Sequence, residues 1–270
     1  MLELMAVRKT FNQGTPNEVC ALDGVNLSVE AGSFVVVIGT NGSGKSTLLN
    51  AISGSFPVDS GFVELAGHDV TRWPEHRRAR LIGRVFQNPF SGTSPSLSIA
   101  ENLALASRRG LGRGLRPALG AKLRGQMREA VRQLNMGLED RLDTALGSLS
   151  GGQRQALTLL MAVWLEPKLL LLDEHTAALD PKCAEQVIAL SSRFIARDRL
   201  TTLMVTHSMQ QAANLGDRLL MMHRGKVLYD LRGGEKKRIR PEELVERFEE
   251  LRRAELLEES AAEMLHTYYV

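Results

Sequence analysis

Apolar positions along this chain recur with two periods, and the places where the period changes mark its elements. Residues 25–29, Val-Asn-Leu-Ser-Val, alternate apolar and polar as a half-buried strand does. Residues 2–7 also predict a strand, and residues 62–65 alternate again after a Ser60-Gly61 turn. Residues 34–38, Phe-Val-Val-Val-Ile, are apolar at every position and mostly β-branched, which predicts a strand buried on both faces. Residues 169–172 and 201–205 predict further strands, and residues 81–86 a short one ending at Gln87. Between these runs, residues 47–52, 156–162, 184–195 and 209–215 predict helices. The helix through 156–162 stops near Glu166-Pro167, because proline disfavours a helical residue before it. Residues 219–222 and 226–229 look like a closing pair of strands around Arg224-Gly225. Strands alternating with helices predict an α/β fold with a mostly parallel sheet covered on both faces.

Two stretches depart from that rhythm. From residue 98 to 149 the β-branched runs vanish, and Leu103, Leu105, Leu111, Leu115, Leu119, Leu123, Met127, Val131 and Leu134 recur at roughly helical spacing. This predicts a helical subdomain, about residues 98–165, inserted into the α/β core. Gly110, Gly112, Gly114 and Gly120 predict loops between its helices. From Gly233 the composition turns to alternating charge. Pro241 before Glu242-Glu243 suits a helix start, and Leu244, Phe248, Leu251, Leu256 and Leu257 form an apolar stripe. Residues 233–270 therefore read as a C-terminal helical tail that docks on the core or on a partner, leaving 1–232 as the main domain.

Composition changes the picture in three ways. With 270 residues and 43% hydrophobic content, the chain can bury a substantial core. Its net charge of +3, from 34 basic and 31 acidic residues, argues against nucleic acid as a partner. Two cysteines, Cys20 and Cys183, make no disulfide framework and no C-x-x-C pair, which fits a reducing, cytosolic compartment. No signal sequence and no apolar run near the roughly 18 residues of a membrane span are visible. The expectation is a soluble cytoplasmic chain whose membrane role comes through a partner.

Chemistry enters at Gly39-Thr40-Asn41-Gly42-Ser43-Gly44-Lys45-Ser46, which fits the phosphate-binding loop pattern G-x-x-x-x-G-K-[ST]. It lies between a buried strand and a helix beginning near Thr47, so backbone N–H groups and the helix dipole converge on one anion site. Triphosphate best uses that geometry. Lys45 would reach its β- and γ-phosphates and the Ser46 hydroxyl would ligate Mg²⁺. The plainer alternative is a glycine turn that only starts a helix.

The deciding stretch is Leu149-Ser150-Gly151-Gly152-Gln153. Here the sequence resembles the ATP-binding cassette (ABC) ATPases, whose signature is L-S-G-G-Q. The resemblance covers residues 1 to about 230, with motifs in the family's order. Gln87 matches the Q-loop, and Leu169 to Asp173 with Glu174 matches Walker B followed by the catalytic glutamate. Ala178-Leu179-Asp180 matches the D-loop, His207 the switch histidine, and Phe11 the aromatic residue against adenine. The resemblance implies a P-loop NTPase core with an antiparallel β subdomain, ATP and Mg²⁺ as cofactors, and transport-coupled ATP hydrolysis.

Residue chemistry supports these assignments. Asp173, ending a buried strand, can hold Mg²⁺, or merely cap the next element. Glu174 points across the strand end and can act as general base toward a water in line with the γ-phosphate, the alternative being a solvated loop acid. Gln87 can offer its carbonyl oxygen to Mg²⁺ and its amide to that water. His207 can donate to the γ-phosphate, although histidines after strands are usually structural. Ser150-Gly151-Gly152 repeats the logic of small residues and free N–H groups at a helix start, or is an ordinary cap. The resemblance implies that this signature, with Gln153 and Asp180, closes on ATP held by a paired ATPase subunit or a second copy. One departure is His175, where the family usually has proline after the catalytic glutamate. It is either a tolerated substitution or a titratable ring set beside the base.

Short spacing between motifs, a single phosphate loop and the absence of C-x-x-C pairs argue against the alternative, a non-transport ABC ATPase acting on DNA or ribosomes. A P-loop kinase or nucleotide switch would leave the signature unexplained. The family implies separate transmembrane permease subunits, a solute-binding protein, and a place on the inner face of the cell membrane. A single cassette without fused spans resembles bacterial importers, and Glu174-His175-Thr176-Ala177-Ala178 resembles those serving amino-acid-like solutes. In the family the inserted helical subdomain faces the permease near the inner leaflet. Its arginines, from Arg108 to Arg132, are then either a solvated face or a surface for anionic headgroups.

Overall fold

A computed structural model describes residues 1–110, 119–251 and 253. Leu111, Leu115, Leu256 and Leu257 of the apolar stripes lie outside these residues. The chain forms two sheets. Strands β1 (Leu2–Phe11), β2 (Val19–Val29), β4 (Ser60–Leu65) and the short β5 (His68–Asp69) make an antiparallel sheet in the order β2-β1-β4-β5. Strands β3 (Phe34–Gly39), β6 (Ile82–Val85), β7 (Leu169–Asp173), β8 (Thr201–Val205), β9 (Arg218–His223) and β10 (Lys226–Arg232) make the second, in the order β10-β9-β3-β8-β7-β6. All its neighbours pair in parallel except β9 and β10. The expected α/β class, the mostly parallel sheet and the antiparallel β portion are all present.

The parallel strands are uniformly apolar because each face meets a different cluster. Val35 and Val37 of β3, Leu169 and Leu171 of β7, and Leu203 and Val205 of β8 point to the side of α1 (Lys45–Ser53) and the antiparallel sheet. Val36 and Ile38 point the other way, toward Ala212, Leu219 and Leu231. Leu170, Leu172 and Met204 join the helices there. A strand buried on both faces has no reason to alternate. β9 and β10 join through Arg224 (φ 44) and Gly225 (φ 75), two left-handed residues that suit a right-twisted hairpin.

The inserted helices are α3 (Ile99–Ala106), α4 (Ala121–Arg132) and α5 (Gly151–Val163), after the short α2 (Glu75–Arg78). Met127 and Val131 face the cluster shared with α3 and α5, while the polar side of α4 is exposed. The arginines of that side have acidic partners: Arg124 pairs with Asp143 at 2.6 Å, Arg128 with Asp140 at 3.6 Å and Arg132 with Glu129 at 2.5 Å. This favours the solvated-face alternative over a naked basic surface. The long α6 (Pro181–Asp198) and the short α7 (Met209–Asn214) return the chain between strands. In the tail, α8 (Gly233–Arg238) and a helical stretch over 241–251 bring Leu244, Phe248 and Leu251 against Leu231, Ile239 and Ala212. The described part of the tail thus docks on its own core.

One buried arginine fixes the end of α1. Arg78 is 2% exposed and directs every hydrogen bond at backbone carbonyls. Nη1 donates to Ala51 O (2.7 Å) and Ile52 O (2.8 Å), Nε to Trp73 O (3.0 Å) and Nη2 to Thr71 O (3.0 Å). Two of these acceptors belong to the last turn of α1, where carbonyls lack helical partners and the dipole favours a cation. Arg78→Leu is expected to lower the unfolding free energy by about 2–4 kcal/mol, since two buried and two part-buried carbonyls lose their donor. Urea denaturation of both proteins checks this, and a loss under about 0.5 kcal/mol would remove Arg78 from that role.

Candidate functional site

The C-terminal ends of β3, β6, β7 and β8 converge, and the candidate residues sit on the segments that leave them. After β3 the loop over 40–44 turns back so that α1 begins at Lys45. Gly44 (φ 98) precedes it in a conformation that side chains avoid, and a Cβ there would lie 2.3 Å from Ala21 O. Gly39 is as tightly placed, with Met222 O and Ser43 Oγ each 2.4 Å from a Cβ position. The loop is therefore moulded against β2 and β9 as bare backbone. Lys45 is buried, and its ammonium donates to Gly39 O and Thr40 O, both at 2.9 Å. Burial pushes its pKa down, and the charges of Glu174 and Asp173 push it back up. Thr40 and Thr47 are half-buried, Asn41, Gly42 and Ser46 exposed, and Ser43 buried.

Asp173 ends β7 at 9% exposure. Its Oδ2 lies 3.3 Å from Arg84 Nη2, a cation of the neighbouring strand β6 that the sequence reading passed over. A lone charge inside Ile82-Gly83-Arg84-Val85 was the available signal, because a charge in a buried strand requires a partner. Glu174 adopts a left-handed backbone (φ 45), held by Glu174 N donating to Val205 O (3.0 Å) and Ala177 N donating to Glu174 O (2.9 Å). That bend aims its carboxylate across the strand ends, where His207 Nε2 meets Oε1 at 2.5 Å. The contact places the imidazole proton on Nε2, since a carboxylate can only accept. Glu174 and His207, 33 positions apart in the chain, are thus one hydrogen-bonded unit. Gln87 follows β6, one strand over from Asp173, and is exposed.

Two residues after the signature hold the Gln87 loop. Gln155 is buried and donates to Phe86 O at 3.3 Å. The Arg154 guanidinium lies 3.8 Å over the Phe90 ring while donating to Gly147 O (3.1 Å) and Leu149 O (3.0 Å). Neither was named from sequence. The signature itself is built as a capping box. Gln153 N donates to Ser150 Oγ (3.3 Å), and Ser150 N donates to Gln153 Oε1 (3.2 Å). Cβ positions on Gly151 and Gly152 would face Leu179 at 3.3 Å and Cys183 at 3.0 Å, so the signature packs on the segment after β7. Asp180 caps α6, accepting from Cys183 N at 3.1 Å. Phe11 sits at the end of β1 in edge contact with Phe56, ring centroids 5.3 Å apart, with Lys9 Nζ 5.5 Å from each ring.

His175 turns away from the base. It is 1% exposed, with Nε2 3.0 Å from Ser191 Oγ on α6. Ser191 Oγ donates to Val187 O at 2.8 Å, so it accepts from His175, whose Nε2 carries the proton. Nδ1 is buried without a partner. Burial pushes the pKa of this ring down to about 4. A neutral ring anchored to α6 leaves no basis for tuning Glu174 near neutral pH.

Among the described residues, no group of three or more His, Cys, Asp or Glu side chains could hold a metal alone. Ser46 in the phosphate loop, Asp173 at the end of β7 and Gln87 after the adjacent β6 offer hydroxyl, carboxylate and amide oxygens at the same end of the sheet. That set fits Mg²⁺, which takes few protein ligands and completes its shell with phosphate oxygens and water.

Comparison with known proteins shows the family and the fold. The ABC transporter family model matches residues 22–177. A tyrosine transport ATP-binding protein of Clostridioides difficile (strain R20291) is 41% identical over 251 residues, covering 92% of this chain and 99% of that protein. The lipoprotein-releasing system ATP-binding protein LolD of Ruegeria sp. (strain TM1040) is 35% identical over 232 residues, covering 84% and 97%. A solved dimeric structure of the ATP-binding cassette MJ0796, in a post-hydrolysis state with ADP and Pi, superposes with a TM-score of 0.73 at 30% identity, covering 86% of this chain and 98% of that one. This likeness carries the P-loop NTPase fold.

The buried histidine has a consequence for acid stability. Unfolded, it takes a proton near pH 6.5; folded, it stays neutral down to about 4. Between those values the unfolded chain binds more protons, so stability rises with pH there. Relative to a His175→Gln variant, the wild-type protein is expected to lose up to about 3 kcal/mol as pH falls from 6.5 to 4, with no further divergence below. Urea midpoints across that range check it, and parallel curves for the two proteins would refute it.

Proposed function

This chain belongs to the ABC transporter family, as an ATP-binding subunit with that family's ATPase activity, and from that premise we propose how its residues divide the work. The observation that carries the reading is the Glu174–His207 pair, set at the strand ends beside a buried Lys45. Backbone N–H groups of residues 39–46 would cradle the triphosphate, with Lys45 exchanging the Gly39 and Thr40 carbonyls for the β- and γ-phosphates. Thr47 adds to the same helix start. Phe11, braced edge-on by Phe56, would stack on adenine. Ser46, Gln87 and Asp173 would hold Mg²⁺, which supplies positive charge against the triphosphate.

Hydrolysis requires a base in line with the γ-phosphate. Glu174 takes the proton of the attacking water, and Gln87 orients that water. His207 steadies the carboxylate through its Nε2–H and can pass that proton bond to the γ-phosphate when ATP arrives. The polar groups of Ser150 and Gln153 satisfy their own helix start, and the small Gly151 and Gly152 leave backbone open to a second nucleotide. We assign Ser150–Gln153 and Asp180 to the ATP held by a paired subunit, giving a closed dimer with two shared sites. Residues 1–232 form the ATPase unit, with the helical subdomain at about 98–165 and the tail at 233–270.

Coupling to transport needs a surface near the site. A groove of about 420 Å³ between α3, α5 and Arg84 carries Leu105 at 60% exposure, beside Thr93, Ser94 and Arg109. Its position next to the Gln87 loop suits a permease segment. No described helix is long and apolar enough to cross a membrane, so the solute path would lie in separate chains. The 41% identity to a tyrosine transport ATP-binding protein supports import of an amino acid, through a permease and a solute-binding protein on the far side of the membrane.

Glu174→Gln is expected to retain ATP while hydrolysis falls by roughly 10²–10⁴-fold, the share of a general base. Filter retention of labelled ATP and phosphate release measure the two, and near-wild-type turnover would remove Glu174 from the role. For the solute, cells carrying Lys45→Ala should lose uptake of one class of amino acid, aromatic ones first. Unchanged uptake of all amino acids would refute the solute assignment without touching the ATPase.

A further inference from the structure

Arg84 is the charged residue of the otherwise apolar strand β6, and its guanidinium has three sets of neighbours. Nη2 lies 3.3 Å from Asp173 Oδ2. Nη1 donates to Ser53 Oγ at 3.1 Å and reaches Ser55 Oγ at 3.4 Å, at the end of α1. The guanidinium carbon rests 4.5 Å from the centre of the Phe86 ring. The side chains of Arg84 and Asp173 are 11% and 12% exposed, so bulk salt screens this pair far less than a surface pair. Lys45, the other buried cation at this end of the sheet, is spent on two backbone carbonyls. The direct cationic partner of Asp173 is therefore Arg84, on the very carboxylate that the function above needs for a metal ion.

We propose that Arg84 is a positioning residue that competes with the metal ion for Asp173 and so sets the metal concentration at which nucleotide is retained. The proposal rests on reading Asp173 as a metal ligand. Without metal, Arg84 keeps the strand end from presenting an unpaired, half-desolvated carboxylate. When metal arrives with the triphosphate, the carboxylate cannot serve dication and guanidinium equally. Arg84 then keeps the two serine hydroxyls and the Phe86 face but no counter-charge, and its Nε is buried without a partner, so metal takes the carboxylate only by overcoming that cost. The same side chain lines the groove beside α3, with Leu105 and Arg109. A segment seated there that drew Arg84 away would therefore strengthen the hold on metal at Asp173.

The test is the Mg²⁺ concentration giving half-maximal retention of a non-hydrolysable ATP analogue by the full chain. Neutral replacements, Arg84→Met and Arg84→Gln, should lower that midpoint by about threefold or more, because a positive charge beside the metal site is gone. Analogue binding in EDTA should stay within about twofold of wild type and reports that the variants are folded. Arg84→Lys keeps the charge but cannot span Asp173 and the serines at once, so its midpoint shifts the same way by less. It decides the matter if both neutral variants lose binding in EDTA. An unchanged or raised midpoint in the folded variants overturns the competition. Asp173→Asn separates the premise: it should raise the midpoint about tenfold or abolish retention. If it does neither, the metal-ligand reading fails; if it does and the Arg84 variants do not shift, only the competition fails.

Discussion

The structure depends on charges placed where strands buried on both faces come to an end. Lys45, Asp173 and Glu174 stand at the rim of a core made of Val35, Val37, Leu171, Leu172 and Leu203. A charge there costs several kcal/mol unless something answers it. Each is answered differently. The ammonium of Lys45 takes two carbonyls of its own loop, the Asp173 carboxylate takes Arg84, and the Glu174 carboxylate takes His207. Every one of those partners can be surrendered to a polyanion and its counter-cation. The site is held together by the contacts that nucleotide would replace, which keeps the loop, β6 and the His207 segment in register beforehand.

The same constraint explains why the helical insert is tied so firmly to the core. Gln155 spends a buried amide on Phe86 O, and Arg154 stacks on Phe90 while donating to the loop before the signature. Both residues belong to α5, whose first turn is the signature capping box. The Gln87 loop is therefore tied directly to the helix that presents Ser150, Gly151 and Gly152. On the other side, Leu179 and Cys183 sit against Gly151 and Gly152, joining the signature to the segment that follows Glu174. The wall of α5 facing the groove, through Thr158, Met161 and Ala162, is continuous with these contacts.

Arg78 shows the constraint at a distance from the chemistry. An arginine at 2% exposure is tolerated because four backbone carbonyls surround it, two of them the last acceptors of α1. It fixes the far end of the helix whose near end is the phosphate loop, and Ser53 and Ser55 at that far end also receive Arg84. One nine-residue helix thus carries restraint from Arg78 to Lys45.

Much of this was legible in the chain itself, for a local reason. The loop from Gly39 to Ser46, the signature from Leu149 to Gln153 and the apolar run before Asp173 are contiguous, and their backbone chemistry is fixed by residue types at fixed spacing. The doubly buried strands announced themselves by lacking alternation, and the helical insert by changing period. What sequence left open were pairings across long separations. Residue types name a general base at 174 and a histidine at 207, but only the parallel register of β7 on β8 brings Glu174 to His207. The tail stripe was compatible with the core or a partner, and for its described residues Leu244, Phe248 and Leu251 the packing with Leu231 and Ala212 decided for the core. His175 read as a ring beside the base; the left-handed turn at Glu174 sends it instead into α6, where burial keeps it neutral. Arg84 stood out as a lone charge in an apolar strand, but its partner, 89 positions away on the adjacent strand, could not be read from the chain. Local pattern determined which elements and loops exist; the pairing of charges at the sheet's end was decided by which strands lie side by side, since desolvation makes each charge depend on neighbours that only the tertiary structure supplies.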